Sequence, residues 1–202
     1  PAYAYANDGY FMPTSTSKKF WEKVIEKFFD KYSDIREHGL ALIRKATSEG
    51  VITNPSGRFY KFVPYQKWDG STDWPRTNIL NYPVQGLGAD FMQCARLDIA
   101  KKYWDDWKPK WGNQVLLINT VHDDIEMDVD NNPELVYNIC IELRKSFKGI
   151  PESFKKRYKV EVNVPMDGEC KFGLSLDENT MIKFKEETFE EDFYTCLQSK
   201  SK

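Results

Sequence analysis

Apolar positions along this chain change period several times, and each change predicts an element. Over residues 17–32, Phe20 or Trp21, Val24 or Ile25, and Phe28 recur at helical spacing. A second helix is expected over 34–49, with Asp34 as N-cap, Glu37 three residues on as in a capping box, and Gly50 ending it at C′. Residues 51–53, the turn signal Asn54-Pro55-Ser56-Gly57 and the partly alternating 58–63 read as a hairpin. Residues 64–78, which carry Lys67, Trp68, Trp74 and Arg76, read as a loop. A long helix follows, with Asn81 near its cap, Pro83 in the first turn and an end near Lys102. A charged, Trp-rich connector, 103–113, leads to two apolar strand-like runs, 115–121 and 125–129. Pro133 and Glu134 open another helix to about Phe147, carried by Leu135, Ile139 and Leu143. Val160, Val162 and Val164 alternate with Glu161 and Asn163, the pattern of a half-buried strand. Residues 1–16 read as irregular, and the charged tail 185–202 as a loose end. Helices grouped around a few antiparallel strands make the chain α+β.

Composition narrows the class. At 202 residues, 41% hydrophobic and 15% aromatic, the chain can bury a sizeable core. No apolar run approaches the roughly 20 residues needed to span a bilayer, so no membrane partner is expected. The four cysteines form no CxxC pair, and reduced thiols in a cytoplasmic protein are the expectation. A net charge of −2 gives no global positive field, so any nucleic-acid contact must come from local patches. The chain begins at Pro1 in mid-pattern, which suggests a piece of something longer.

Two segments carry candidate chemistry. Asp123 and Asp124 stand side by side between the apolar runs, where like charges are unfavourable unless a cation sits with them; a divalent metal is the usual answer. On the long helix Gln85, Gly88, Ala89 and Met92 share a face. Glycine costs about 1 kcal/mol against alanine inside a helix, so Gly86 and Gly88 suggest that something must approach the backbone closely. Glutamine both donates and accepts, which suits reading the minor-groove acceptors common to all correct base pairs. Asp90 lies on a different face, where a structural hydrogen-bonding role is expected.

The segments Asn81-Tyr82-Pro83-Val84-Gln85-Gly86-Leu87-Gly88-Ala89-Asp90 and Val121-His122-Asp123-Asp124 together resemble the family A DNA polymerases, the bacterial DNA polymerase I group and its phage relatives. The family usually has His-Asp-Glu where this chain has His122-Asp123-Asp124. Upstream, Phe28-Phe29-Asp30-Lys31-Tyr32-Ser33-Asp34-Ile35 resembles the segment before the family's long fingers helix. Gly50-Val51-Ile52-Thr53 followed by Gly57-Arg58 resembles its Gly-Tyr-Val-x-Thr…Gly-Arg-Arg run, with Phe59 in place of the second arginine. Downstream, 160–168 resembles the closing strand.

The resemblance implies a polymerase palm of antiparallel strands flanked by helices, plus the last part of the fingers. Residues 1–50 would be the helical end of the fingers, 51–184 the C-terminal palm with its catalytic hairpin, and 185–202 a charged tail. It implies two Mg²⁺ ions, with Asp123 as metal ligand and Asp124 in a supporting catalytic role. His122, Gln85, Asn81 and Arg58 would contact primer–template DNA, and deoxynucleoside triphosphates would be substrates. The family's second metal-binding aspartate, in an Asp-Tyr-Ser motif, and its Arg-x3-Lys…Tyr-Gly fingers motif do not occur in these residues. The missing carboxylate is therefore expected outside this chain, on an upstream part of the polymerase joined in cis or as a separate subunit. Two other readings stand beside this one: a single-subunit phage-type RNA polymerase palm, against which the Gln-Gly-x-Gly-Ala-Asp helix argues, and a non-catalytic palm that only binds DNA or a partner.

Overall fold

A computed structural model describes residues 18–198; 1–16, expected to be irregular, and the last residues of the tail lie outside the described residues. Helices predominate, and the strands pair into four two-stranded sheets. Two compact units emerge: Pro1–Ile52 with Tyr60–Tyr82, and Thr53–Phe59 with Pro83–Lys202.

The first unit opens with α1 (Lys18–Lys31) and α2 (Ser33–Glu49). Asp34 is not the N-cap: Tyr32 occupies that place without a side-chain cap, and Asp34 sits inside the first turn, where its charge favours the helix dipole. Gly50 does end α2, at a left-handed φ of 69° with its N–H on the Ala46 carbonyl. The hairpin follows as β1 (Val51–Thr53) and β2 (Phe59–Lys61). The expected loop 64–78 instead folds β3 (Tyr65–Gln66) onto β4 (Thr72–Asp73), closed by a turn in which Asp69 accepts from the Ser71 N–H and hydroxyl. Ala46, Ile52, Phe62 and Ile79 form this unit's buried core.

The helix α3 (Arg76–Lys102) starts five residues before Asn81, which places Asn81 and Pro83 in its interior rather than at its cap. Two forces move the start upstream. Pro75 precedes the helix and its carbonyl takes the Ile79 N–H at 2.9 Å, while fully buried Ile79 anchors the first turns in the core. These outweigh the single backbone bond that Pro83 forfeits.

In the second unit the Trp-rich connector is helical too, as a π turn (Tyr103–Trp107) and two short turns, Lys108–Trp111 and Gly112–Gln114. It is helical because Tyr103 and Trp107 must reach the core, where they pack with Ile99, Val115, Leu135 and Ile139. The apolar runs pair as β5 (Val115–Val121) and β6 (Asp124–Val129), in register from Val115↔Val129 to Val121↔Asp124 with an irregularity between Leu117 and Asn119. α4 (Pro133–Lys148) begins at Asn132, whose side chain accepts from the Leu135 N–H; α5 (Ile150–Tyr158) follows.

Residues 160–164 form no strand, because no other segment among the described residues offers them a ladder; Val160 and Val162 are half-buried and Val164 is exposed. The tail is not a loose end. After β7 (Lys171–Phe172) and β8 (Ile182–Lys183), α6 (Phe189–Gln198) buries Phe189 and Phe193 against Cys140, Cys170 and Phe184. Its charge lies on the opposite face, which hid an amphipathic helix inside a charged stretch.

Candidate functional site: the β5–β6 turn and the open face of α3

The site lies within the second unit. Val121 and Asp124 face each other across the hairpin, leaving His122 and Asp123 as a two-residue turn. His122 takes a φ of 49°, at the first turn position, where tight hairpins favour glycine. His122, Asp123 and Asp124 are all exposed. From α3, Arg96 Nη2 donates to the His122 carbonyl at 3.2 Å, while Arg96 Nε is buried with no partner.

Asp123 and Asp124 line a cavity of about 920 Å³, together with Gly88 and Met92 of α3. Arg144 and Phe147 of α4, with residues around Gly168, complete its wall. The strip above it on α3 is open: Gln85, Gly88 and Ala89 are exposed, and a Cβ on Gly88 would meet nothing within 4 Å. Among the described residues, then, the small size of Gly88 is not required by helix packing. Asn81 is exposed, on the stretch of α3 that belongs to the first unit.

Arg58 is held by α3. Its Nε and Nη2 donate to Asp90 Oδ1 at 3.0 and 2.6 Å, and Ser56 donates to Asp90 Oδ2. Asp90 is therefore the structural hydrogen-bonding residue that its helix face implied, with a side chain only 5% exposed. Asn54 Nδ2 adds a buried bond to the Pro83 carbonyl at 2.8 Å. The turn 54–58 is thus fastened to α3 at both ends of the segment carrying Gln85. Sequence reasoning found the β1–β2 turn signal but not the tethering roles of Asn54 and Ser56, and it missed Arg96 altogether. A lone arginine on a helix carries no signal of the carbonyl it will meet.

Residues 3–178, well over half of the 202, match the sequence profile of DNA polymerase family A. The chain belongs to DNA polymerase family A. No curated protein matches it. Family membership supports DNA polymerase activity, a nucleotidyl transfer serving DNA replication, as this family's general function. For such a polymerase the donor chemistry of the turn is apt: two adjacent, exposed carboxylates are hard oxygen ligands of the kind Mg²⁺ takes. No three His, Cys, Asp or Glu side chains among the described residues are grouped to hold a metal ion. No helix among the described residues is long and apolar enough to cross a membrane.

Proposed function

We propose that this chain is the C-terminal part of the palm, with the last part of the fingers, of a template-directed DNA polymerase that extends a primer 3′-hydroxyl by two-metal phosphoryl transfer. The observation that carries the reading is one shared concave space. Asp123 and Asp124 of the hairpin and Gly88 of α3's open strip line the same cavity, so carboxylates and a face open to a duplex adjoin.

In this reading residues 1–50 end the fingers and 51–184 form the palm, with 185–202 appended to it. Asp123, at the tip of the hairpin, would hold a Mg²⁺ ion, and Asp124 would support it from the first position of β6. When bound, such ions would supply charge stabilisation at the attacking and leaving oxygens. The chain's own residues orient the primer end. Gln85 projects over Gly88 and Ala89 toward the minor groove, donating its side-chain N–H to the acceptors common to all correct pairs. His122 meets the primer terminus beside the carboxylates. Asn81 is a further primer–template contact, and Arg58, half-exposed beside Asp90, offers its outer edge to a phosphate. The deoxynucleoside triphosphate loses pyrophosphate as the 3′-oxygen bonds to its α-phosphorus.

The rest of the enzyme comes from an upstream polymerase segment, in cis or as a separate chain, working in the cytoplasm. Three observations support this. No third carboxylate among the described residues is grouped with this pair to hold a metal ion. Leu116, Ile118 and Val121 of β5 are 40%, 57% and 40% exposed, apolar where the solvated face of an antiparallel pair is usually polar. Residues 160–164, which alternate apolar and polar as a strand would, lack a strand partner among the described residues.

Primer extension with Mg²⁺ and the four deoxynucleotides tests the reading, comparing the chain alone, the chain with an upstream polymerase segment, and D123N in each. Synthesis that appears with the upstream segment and is lost in D123N is expected. Synthesis that survives D123N overturns the role of the hairpin.

A further inference from the structure

Arg96 has no place in the chemistry above, yet from α3 it donates a hydrogen bond to the backbone of the proposed catalytic turn. We infer that Arg96 is a positioning residue: by holding the His122 carbonyl it stabilises the left-handed turn that aims Asp123. Three observations converge. His122 is one of two non-glycine residues with positive φ among the described residues, the other being Lys159 at a helix end. Strained backbone of this kind persists where surrounding groups over-determine it. The group that does so here is the guanidinium, with Nη2 3.2 Å from the His122 oxygen.

The guanidinium is itself constrained. Its Nε is buried without a partner, a loss that a side chain free to move would relieve by turning to water. The buried Nε and the bond from Nη2 together fix where the guanidinium meets the carbonyl. α3 therefore acts as the reference against which the turn is set, and the same helix presents Gln85 and Gly88. The two halves of the proposed site are registered through Arg96. The hairpin alone lacks this control, since a two-stranded ribbon is only marginally stable in water.

The test uses the 202-residue chain and three proteins: wild type, R96M, and the R96M/H122G double variant. Amide hydrogen exchange across residues 120–125 is the first readout, and Mn²⁺-induced broadening of the same amides is the second. R96M is expected to speed exchange in that stretch about tenfold, leave 133–148 unchanged, and weaken Mn²⁺ binding at the turn. Adding H122G is expected to restore most of the protection, because glycine adopts positive φ without strain. Unchanged exchange in R96M overturns the role, as does a loss that H122G fails to recover. Acceleration that extends through 133–148 marks general destabilisation and overturns it too. The inference rests on the proposed metal site only through the Mn²⁺ readout. If wild type shows no broadening that depends on Asp123, the metal reading fails, and the exchange comparison still decides Arg96.

Discussion

Replacing Arg58 by alanine strips two hydrogen bonds, at 3.0 and 2.6 Å, from a carboxylate whose side chain is 5% exposed. Removing one partner of a fully buried ion pair costs about 3–5 kcal/mol, because the remaining charge stays desolvated. Here the arginine side chain is 49% exposed, so its loss also opens a path for water to reach Asp90. Ser56 continues to donate to the other carboxylate oxygen. Both effects lower the expected cost of R58A to about 2 kcal/mol. D90A is milder, about 1 kcal/mol, since it removes the buried charge itself and leaves a half-solvated guanidinium. The double variant should resemble D90A alone, giving a coupling of about 2 kcal/mol between the two sites. At about 2–4 °C per kcal/mol for a chain of this size, R58A should lower the melting temperature by roughly 4–8 °C. Thermal and urea unfolding of the four proteins measure this. R58A no more destabilising than D90A, or two effects that simply add, would refute the claim that Asp90 is a buried charge needing its arginine.

The remaining expectations concern other parts of the molecule. G88A should stabilise the chain by up to about 1 kcal/mol, since a Cβ there meets nothing within 4 Å, while reducing primer extension if duplex packs on that strip; unfolding and extension assays run side by side separate the two. F193A empties a site only 4% exposed and should cost about 3–5 kcal/mol, freeing α6 to early cleavage in limited proteolysis; an unchanged digestion pattern would mean that α6 is not anchored there. Burial pushes the Cys94 thiol up from its ordinary value of 9.0. Raised thiols contribute stability that is fully present below pH 9.0 and lost as pH rises through the folded values, so the urea midpoint should fall in alkaline buffer and fall less in a C94A variant. Native thiols should react slowly with a disulfide reagent and all four rapidly after unfolding.

What the amino-acid order alone determined were the elements whose signal is local. The helical periodicity of α1 and α4, the Gly50 stop, the β1–β2 hairpin and the apolar pair around His122-Asp123 all depend on residues within a few positions of each other. The adjacent carboxylates, and the small-residue strip beside Gln85, were legible for the same reason. Tertiary structure decided the rest. Buried Ile79 pulls the start of α3 back to Arg76, so that Pro83 is tolerated mid-helix. Tyr103 and Trp107 turn a charged connector into helix because the core takes them. Phe189 and Phe193 do the same for the tail. Val160 to Val164 have the right alternation, but a strand requires a neighbour's backbone, which no property of the segment itself can supply. The contacts that shape the site follow the same rule. Arg58 with Asp90, and Arg96 with His122, lie 32 and 26 residues apart, and only folding makes them neighbours.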